Sequence, residues 1–494
     1  MIAPQPFGDP DIGAAAASHP VAQPESKALV EQAVQLIAQV APAGWESLQA
    51  AFSFAGGQEI ANAVAITANG PTPIRITAEA IELIRTHRTV SNGSRGPWLR
   101  LLFDCDATGA LQVAFDYGDN ELPAEHLLPP QAYVRDFEEF PRLATPLWLV
   151  AYMGNEGQQL RTAAGARQSA VAVGDARKSD DEIPPLPALW ARIAVLAAVC
   201  QGSDAPDGPR TDPAFQLYIG DNGGCTLCRL PGDRAVLSGG RNDSRLLSAA
   251  YSGTIGWPDL YRGAPTWLHN LYLDPRNARG LLSFCYWWDG THWYRSDLPE
   301  ATPLTRGETP WKPTEEIEYG VPGVWTVEST ANLVKIVLKR IGVELSDGNH
   351  YAAIDLVRTA EARIVSERDL TRLFHDGVPE SFDIAEALAQ LDAADVLLPR
   401  YPPIDQATAK DLVVSFCHAN NVDTAGYPLN QLVADRWDVG WQVFVPVPEG
   451  ETLIDRMFFL VADDGVVEQA STFTSPSEIA HIFANRFAMR VRAR

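Results

Sequence analysis

Apolar residues at Leu29, Val30, Val34, Ile37 and Val40 recur at spacings of three and four, the stripe of an amphipathic helix. Trp45, Leu48 and Phe52 extend that apolar surface. The pattern then turns strand-like over 60–67 and 74–77, with Asn69-Gly70 between the runs, which predicts a hairpin. A helix carrying Ala78, Ile81, Leu83 and Ile84 comes next. Residues 98–103 and 111–115 then flank a turn at Thr108-Gly109, and a terminal helix spans 133–153. Helix, hairpin, helix, hairpin, helix is the order of a small α+β layer.

The pattern resumes after a small, polar stretch that closes on Pro184, Pro185 and Pro187. A helix over 190–200 leads into the runs 215–219 and 225–230 around Asp221-Asn-Gly-Gly224, a second hairpin. Residues 281–288 and 292–294 flank Asp289-Gly290, the strongest hairpin signal in the chain. This stretch repeats the coarse plan of the first domain, which raises the question of duplication. From 324 to 398 the spacing is helical, with Leu333, Val334, Ile336, Val337 and Ile341 on one face and Ile384, Ala385, Leu388 and Leu391 on another. A helix through Leu412, Val413, Val414 and Phe416, strands at 440–445 and 457–462, and a closing helix after Pro476 complete the chain. The expected organisation is α+β: several small domains with antiparallel sheets packed against helices, plus a mainly helical segment. The boundaries are a disordered arm (1–26), an α+β domain (27–160), a linker (161–187), a second α+β domain (188–301), a second linker (302–323), a helical domain (324–402) and a last α+β domain (403–494). The arm is rich in Ala and Pro and has neither Lys nor Arg nor an apolar period, too little to offset ordering entropy.

Charge narrows the function. The 494 residues carry 39 Lys and Arg against 62 Asp and Glu, a formal charge of -23. A field of that sign repels nucleic-acid phosphates and anionic lipid, so neither nucleic acid nor membrane is expected as a partner. No apolar run is long enough to span a bilayer, and the first 26 residues lack the form of a signal peptide. Six scattered cysteines agree with a reducing compartment, and a cytoplasmic location is expected.

The search for chemistry assigns no catalytic residue, cofactor or metal. Cys225-Thr-Leu-Cys228 has no second ligand pair at zinc-site spacing and lies in an alternating strand, where residues three apart point to opposite faces. Cys105, Cys200, Cys285 and Cys417 read as small core residues. There is no HExxH, P-loop, dinucleotide fingerprint or GxSxG elbow. Two groups stand out. Asp104, Asp106, Asp116, Asp119 and Glu121 gather around one hairpin beside Tyr117. They could act as acid and base, hold a divalent cation, form a solvated rim, or attract a basic protein. The run 285–294 carries Tyr286, Trp288 and Trp293 on a hairpin. Members on the outward face either serve as interface anchors or lie under a second layer.

The first domain resembles the YezG-like immunity proteins of bacterial polymorphic-toxin systems. The resemblance rests on Trp45 with Leu48 after a leading helix, on the 96–103 strand Gly-Pro-Trp-Leu-Arg-Leu-Leu-Phe, and on the 109–119 stretch ending Asp116-Tyr117-Gly118-Asp119. It covers 28–153, about a quarter of the chain. The region from about Ala407 is similar in outline to other small immunity domains. The resemblance implies an acidic module that inhibits a toxin by stoichiometric binding in the cytosol. The expected partner is a cognate toxin with a basic surface, and the expected contacts are Asp104, Asp106, Asp116, Tyr117, Asp119, Glu121, Tyr286, Trp288 and Trp293. Two other readings stand beside it: a hydrolase using the carboxylates near Asp104 and Asp116, and a chaperone or adaptor for a secretion system.

Overall fold

The computed structural model describes residues 24–93, 95–142, 145–155, 176–205, 207–268, 270–298, 302–305, 309–447, 457–471 and 475–493. Most of the arm expected over 1–26 and most of the first linker lie outside them. The fold is α+β, with three antiparallel sheets.

In the first unit, helix α1 (Pro24–Val40) precedes strands β1 (Trp45–Ala55), β2 (Gln58–Thr67) and β3 (Gly70–Ile74), helix α2 (Ala78–Val90), and strands β4 (Arg100–Asp106) and β5 (Leu111–Asp116). Both expected hairpins form, the first with its second strand at Gly70–Ile74 rather than 74–77, where Thr77 instead caps α2. Residues 45–55 do not extend the helix surface, as the spacing of Trp45, Leu48 and Phe52 suggests; they form the central strand of the order β3-β2-β1-β4-β5. The reason lies in Ala50 and Phe54, which complete a period of two with Leu48 and Phe52, all buried against α1 and α2. The expected terminal helix is two, α3 (Pro130–Glu139) and α4 (Leu147–Asn155), because Pro141 and Pro146 interrupt it. Buried Asp136 on α3 accepts two bonds from Arg88 on α2, at 2.7 and 2.8 Å, and one from the Gly56 amide in the β1–β2 turn.

The second unit has the strand order β6-β12-β11-β10-β9-β8-β7, unlike that of the first, so the shared plan read from the sequence does not extend to topology. Its strands are β6 (Arg177–Lys178), β7 (Arg210–Thr211), β8 (Phe215–Gly220), β9 (Gly223–Leu230), β10 (Arg234–Arg241), β11 (Phe284–Trp288) and β12 (Trp293–Arg295). Helix α5 (Leu186–Gly202) lies against one face. It is apolar on every side and buried along nearly its whole length, which requires cover all round. The sheet supplies half of that cover. Helices α8 (Val327–Arg340), α9 (Asp347–Glu361) and α11 (Ile384–Ala393) supply the rest. The helical segment expected to stand alone over 324–402 therefore shares one core with the sheet. The second linker is folded too: Trp311, Ile317 and Val321 are buried, the latter pair in and after α7 (Thr314–Gly320). Helix α6 (Arg245–Tyr251) and the irregular chain up to Leu282 cover much of the opposite sheet face, and α10 (Glu367–Thr371) completes the helical layer.

The last unit places α12 (Gln406–Ala419) on one face and α13 (Pro476–Arg492) on the other face of the meander β13 (Val433–Trp437), β14 (Gly440–Phe444), β15 (Met457–Ala462) and β16 (Val467–Ser471). Among the described residues no helix is long and apolar enough to cross a membrane.

Candidate functional site

The aromatic hairpin is core. Tyr286, Trp288 and Trp293 are 1%, 5% and 0% exposed, so the outward anchors expected there are corrected to packed residues facing α5. Tyr286 and Trp293 have their polar handles satisfied, whereas Trp288 Nε1 is buried with no partner among the described residues. The Tyr286 hydroxyl donates to Glu182 at 2.8 Å, Arg295 grips the same carboxylate at 2.8 and 2.7 Å, and Trp293 Nε1 donates to the Pro184 carbonyl at 2.8 Å. Glu182 and Pro184 belong to the stretch read as linker. That segment folds onto the hairpin, satisfying groups that would otherwise be costly to bury.

The acidic group is also built differently from a free rim. Asp116 is tied to Arg100 at 2.8 Å and to the Gly118 amide at 2.8 Å. Asp119 pairs with Arg95, whose guanidinium also lies 4.4 Å over the Tyr117 ring. Burial pushes the Tyr117 hydroxyl up. Asp104 accepts from Gln49 at 2.9 Å. Asp106 closes its own turn on Thr108 and Ala110, and those bonds hold its carboxyl below the usual range. Glu121 pairs with Arg279 of the second unit. Asp116, Asp119 and Glu121 are thus neutralised at close range. The register sets Asp116 opposite Arg100, and Asp104 lies four residues farther along β4, roughly 14 Å away at strand rise. These carboxylates do not converge as an acid–base pair.

Glu121 leads to the site itself. A cleft of about 440 Å³ opens between the first and second units, lined by Glu121, Leu122, Pro123, Ala124, Leu127, Trp148, Tyr152, Arg279 and Leu281. Its aromatic wall comes from α4, where Trp148 and Tyr152 lie four residues apart on one helix face. Their polar atoms point away from the cleft's work: Trp148 Nε1 donates to the Gly118 carbonyl at 2.8 Å and the Tyr152 hydroxyl to the Leu128 carbonyl at 2.9 Å. Gly118 has φ +85, and a Cβ there would meet Leu99 at 2.9 Å and Trp148 at 3.5 Å, so the turn that holds Trp148 needs glycine. Tyr133 stacks edge-on behind Tyr152 at 6.0 Å, its hydroxyl pushed up to about 12 by burial. From the second unit, Tyr251 packs on Gly154 and donates to the Gly280 carbonyl at 3.0 Å. The Glu121–Arg279 pair spans the rim. The cleft can therefore take an apolar side chain against Trp148, Tyr152, Leu127 and Leu281, with charge at one edge.

Of the residues singled out from the sequence, Glu121 lines this cleft and Asp116 shapes it through the Gly118 turn; Asp104 and Asp106 lie at the other end of the hairpin. Trp148, Tyr152 and Leu127 were missed, and the i, i+4 aromatic pair on a helix was the available signal. Arg279 had none, being 158 residues from its partner. Cys225 is buried and Cys228 half-buried on β9, and burial pushes both thiols up, which leaves them protonated and poorly nucleophilic. Among the described residues no three His, Cys, Asp or Glu side chains are grouped to hold a metal ion. The chain matches no known protein family, and no characterised protein matches it.

Proposed function

We propose that this chain is an immunity-type binding protein that neutralises a bacterial toxin by stoichiometric association, and that the cleft between its first two units receives a segment of the toxin. The observation that supports this reading is the cleft's construction. Trp148 and Tyr152 have their hydrogen-bonding atoms engaged within the protein and line the cleft with their rings, which can hold a partner's side chain by burial and ring contact. The charges that line the cleft, Glu121 and Arg279, are paired with each other, and the chain as a whole is at -23. Charge complementarity therefore favours a segment with an apolar residue flanked by Lys or Arg.

The test is co-expression with candidate toxins from the same locus, followed by titration of toxin activity with purified chain. Protection that saturates at a fixed molar ratio supports the proposal. Protection by a small catalytic fraction, with the toxin or its substrate modified, overturns it. Ala124 is exposed and lines the cleft, so Ala124→Trp fills the space without touching the core. It is expected to abolish protection with the thermal midpoint unchanged.

A further inference from the structure

One surface of this acidic chain gathers cations. Arg229 on β9, Arg363 in the turn after α9 and Arg492 at the end of α13 come from three separate stretches. Arg363 Nε donates to the Asp395 carbonyl at 3.0 Å, and its Nη2 donates to the Asp395 carboxylate. Arg492 Nη2 donates to the carbonyls of Arg363 and Leu397, both at 2.9 Å, and lies 4.0 Å from the Asp395 carboxylate. Trp190 Nε1 donates to the carbonyl of Ala394 at 2.9 Å, next to Asp395, and the Arg229 guanidinium lies 4.9 Å over the Trp190 ring.

Asp395 is the one carboxylate in ion-pair range of these arginines among the described residues. Three cations face one anion, a formal surplus of two. Arg363 and Asp395 both sit in the left-handed region, at φ 59 and 57, and a parallel bridge between Val365 and Leu397 holds their turns side by side. Burial, then the charges of Arg492 and Arg229, lower the Arg363 guanidinium from its ordinary value, the response of a cation crowded by cations. Arg229 is exposed and Arg363 half-buried, so a ligand can reach both, whereas Arg492 is held in place by its two carbonyls.

We propose that Arg229, Arg363 and Arg492 form a binding site for a phosphate-class oxyanion. A phosphate carries about -1.5 to -2 near neutral pH, which matches the surplus of two better than a carboxylate does. Its oxygens suit the forked guanidinium donors. None of these residues lines the cleft, so the site is independent of the binding function proposed above. The phosphate can come from a free phosphate compound or from a phosphorylated side chain of a protein.

The experiment titrates the full chain at low ionic strength with inorganic phosphate, pyrophosphate and a phosphoserine peptide, by calorimetry, against chloride at matched ionic strength. Saturable binding is expected for the wild type. Arg229→Gln, which loses a stacked and exposed side chain, should keep the fold and weaken binding roughly five-fold, the effect of one screened cation. Arg363→Gln should do the same, and the control Arg75→Gln, exposed on the first unit, should bind as wild type. Tighter binding of the peptide than of pyrophosphate assigns the site to a phosphorylated protein; the reverse order assigns it to a free phosphate compound. The proposal is overturned if none of the three probes saturates, or if Arg229→Gln binds them all as the wild type does.

Discussion

His87 on α2 should make the first unit lose stability as the pH falls through the mildly acidic range. Its ring is buried between Phe115, stacked at 5.3 Å, and Trp98, whose Nε1 donates to His87 Nδ1 at 3.2 Å. That bond needs a lone pair on Nδ1, so it exists only with a neutral ring. Burial lowers the imidazole from 6.5 to about 4, and a difference of that size corresponds to about 3 kcal/mol between the protonation states. An unfolded chain takes up a proton near 6.5, whereas the folded one stays neutral down to about 4. Between those values the unfolded state binds more protons, so stability rises with pH. The contribution is complete above 6.5 and is lost progressively as the pH falls towards 4. His126, lowered by burial and by Arg100, acts in the same direction. Urea unfolding of the wild type and of His87→Gln at several values between pH 4 and 7.5 gives the difference curve. The wild type should lose up to about 3 kcal/mol more than the variant over that span. An NMR titration should show the His87 ring still neutral at pH 5. Parallel curves, or a His87 resonance that titrates near 6.5, would refute the reasoning.

Other perturbations separate packing from binding. Trp293→Ala should cost about 3–5 kcal/mol, as expected for a fully buried aromatic, and denaturant unfolding measures it; a loss below about 1 kcal/mol would mean that the hairpin is a surface. Arg88→Ala should cost up to about 3–5 kcal/mol by removing the closer of the two cations on buried Asp136, Arg142 at 3.5 Å being the other, and the double variant with Asp136→Asn should recover part of that loss. Gly118→Ala should shift the fluorescence of Trp148 and weaken partner binding, because it strains the turn that holds the indole; unchanged spectra and binding would contradict that role. Thiol reagents should leave Cys225 unmodified in the folded protein and react only slowly with Cys228, and rapid labelling of both would overturn their assignment as protonated packing residues.

Short-range signals carried much of the fold into the sequence. The Asn69-Gly70 and Asp289-Gly290 signals fall at connections between paired strands, Ala68-Asn69 with Gly70 opening β3 and residues 289–292 before β12, because turn residues beside an alternating flank suffice to mark a hairpin. Strands β1 and β10 escaped notice for different reasons. In β1 the small side chains of Ala50, Ala51 and Ser53 blur the alternation. In β10 the pair Gly239-Gly240 looks like a loop, yet a Cβ at either position would strike neighbouring backbone at 2.2 Å, so close packing explains the glycines. Helix α5 reveals through its all-round apolarity that it must be surrounded, but not by what; its cover comes from strands up to Trp293 and helices up to Ala393, all later in the chain.

The site was less legible. The acidic residues around Asp116 were visible as a cluster, but their arginine partners turn a presumed charged rim into a set of internal ties. The hairpin register that pairs Arg100 with Asp116 could have shown one of those ties in advance. The Glu121–Arg279 contact could not be read, since it depends on how two units of the chain pack. Exposure of the aromatic hairpin was likewise a question of tertiary cover, which residues 177–184 and α5 decide.

Stoichiometric binding through the cleft is tested most directly by titrating a candidate toxin from the same locus with wild-type chain and with Ala124→Trp, both shown to be folded by their thermal midpoints. The predicted result is complete protection at a fixed molar ratio for the wild type and none at the same ratio for the variant. Equal protection by both proteins would show that the cleft is not the binding site, and protection by the wild type at a small fraction of the toxin concentration would show that the mechanism is not binding.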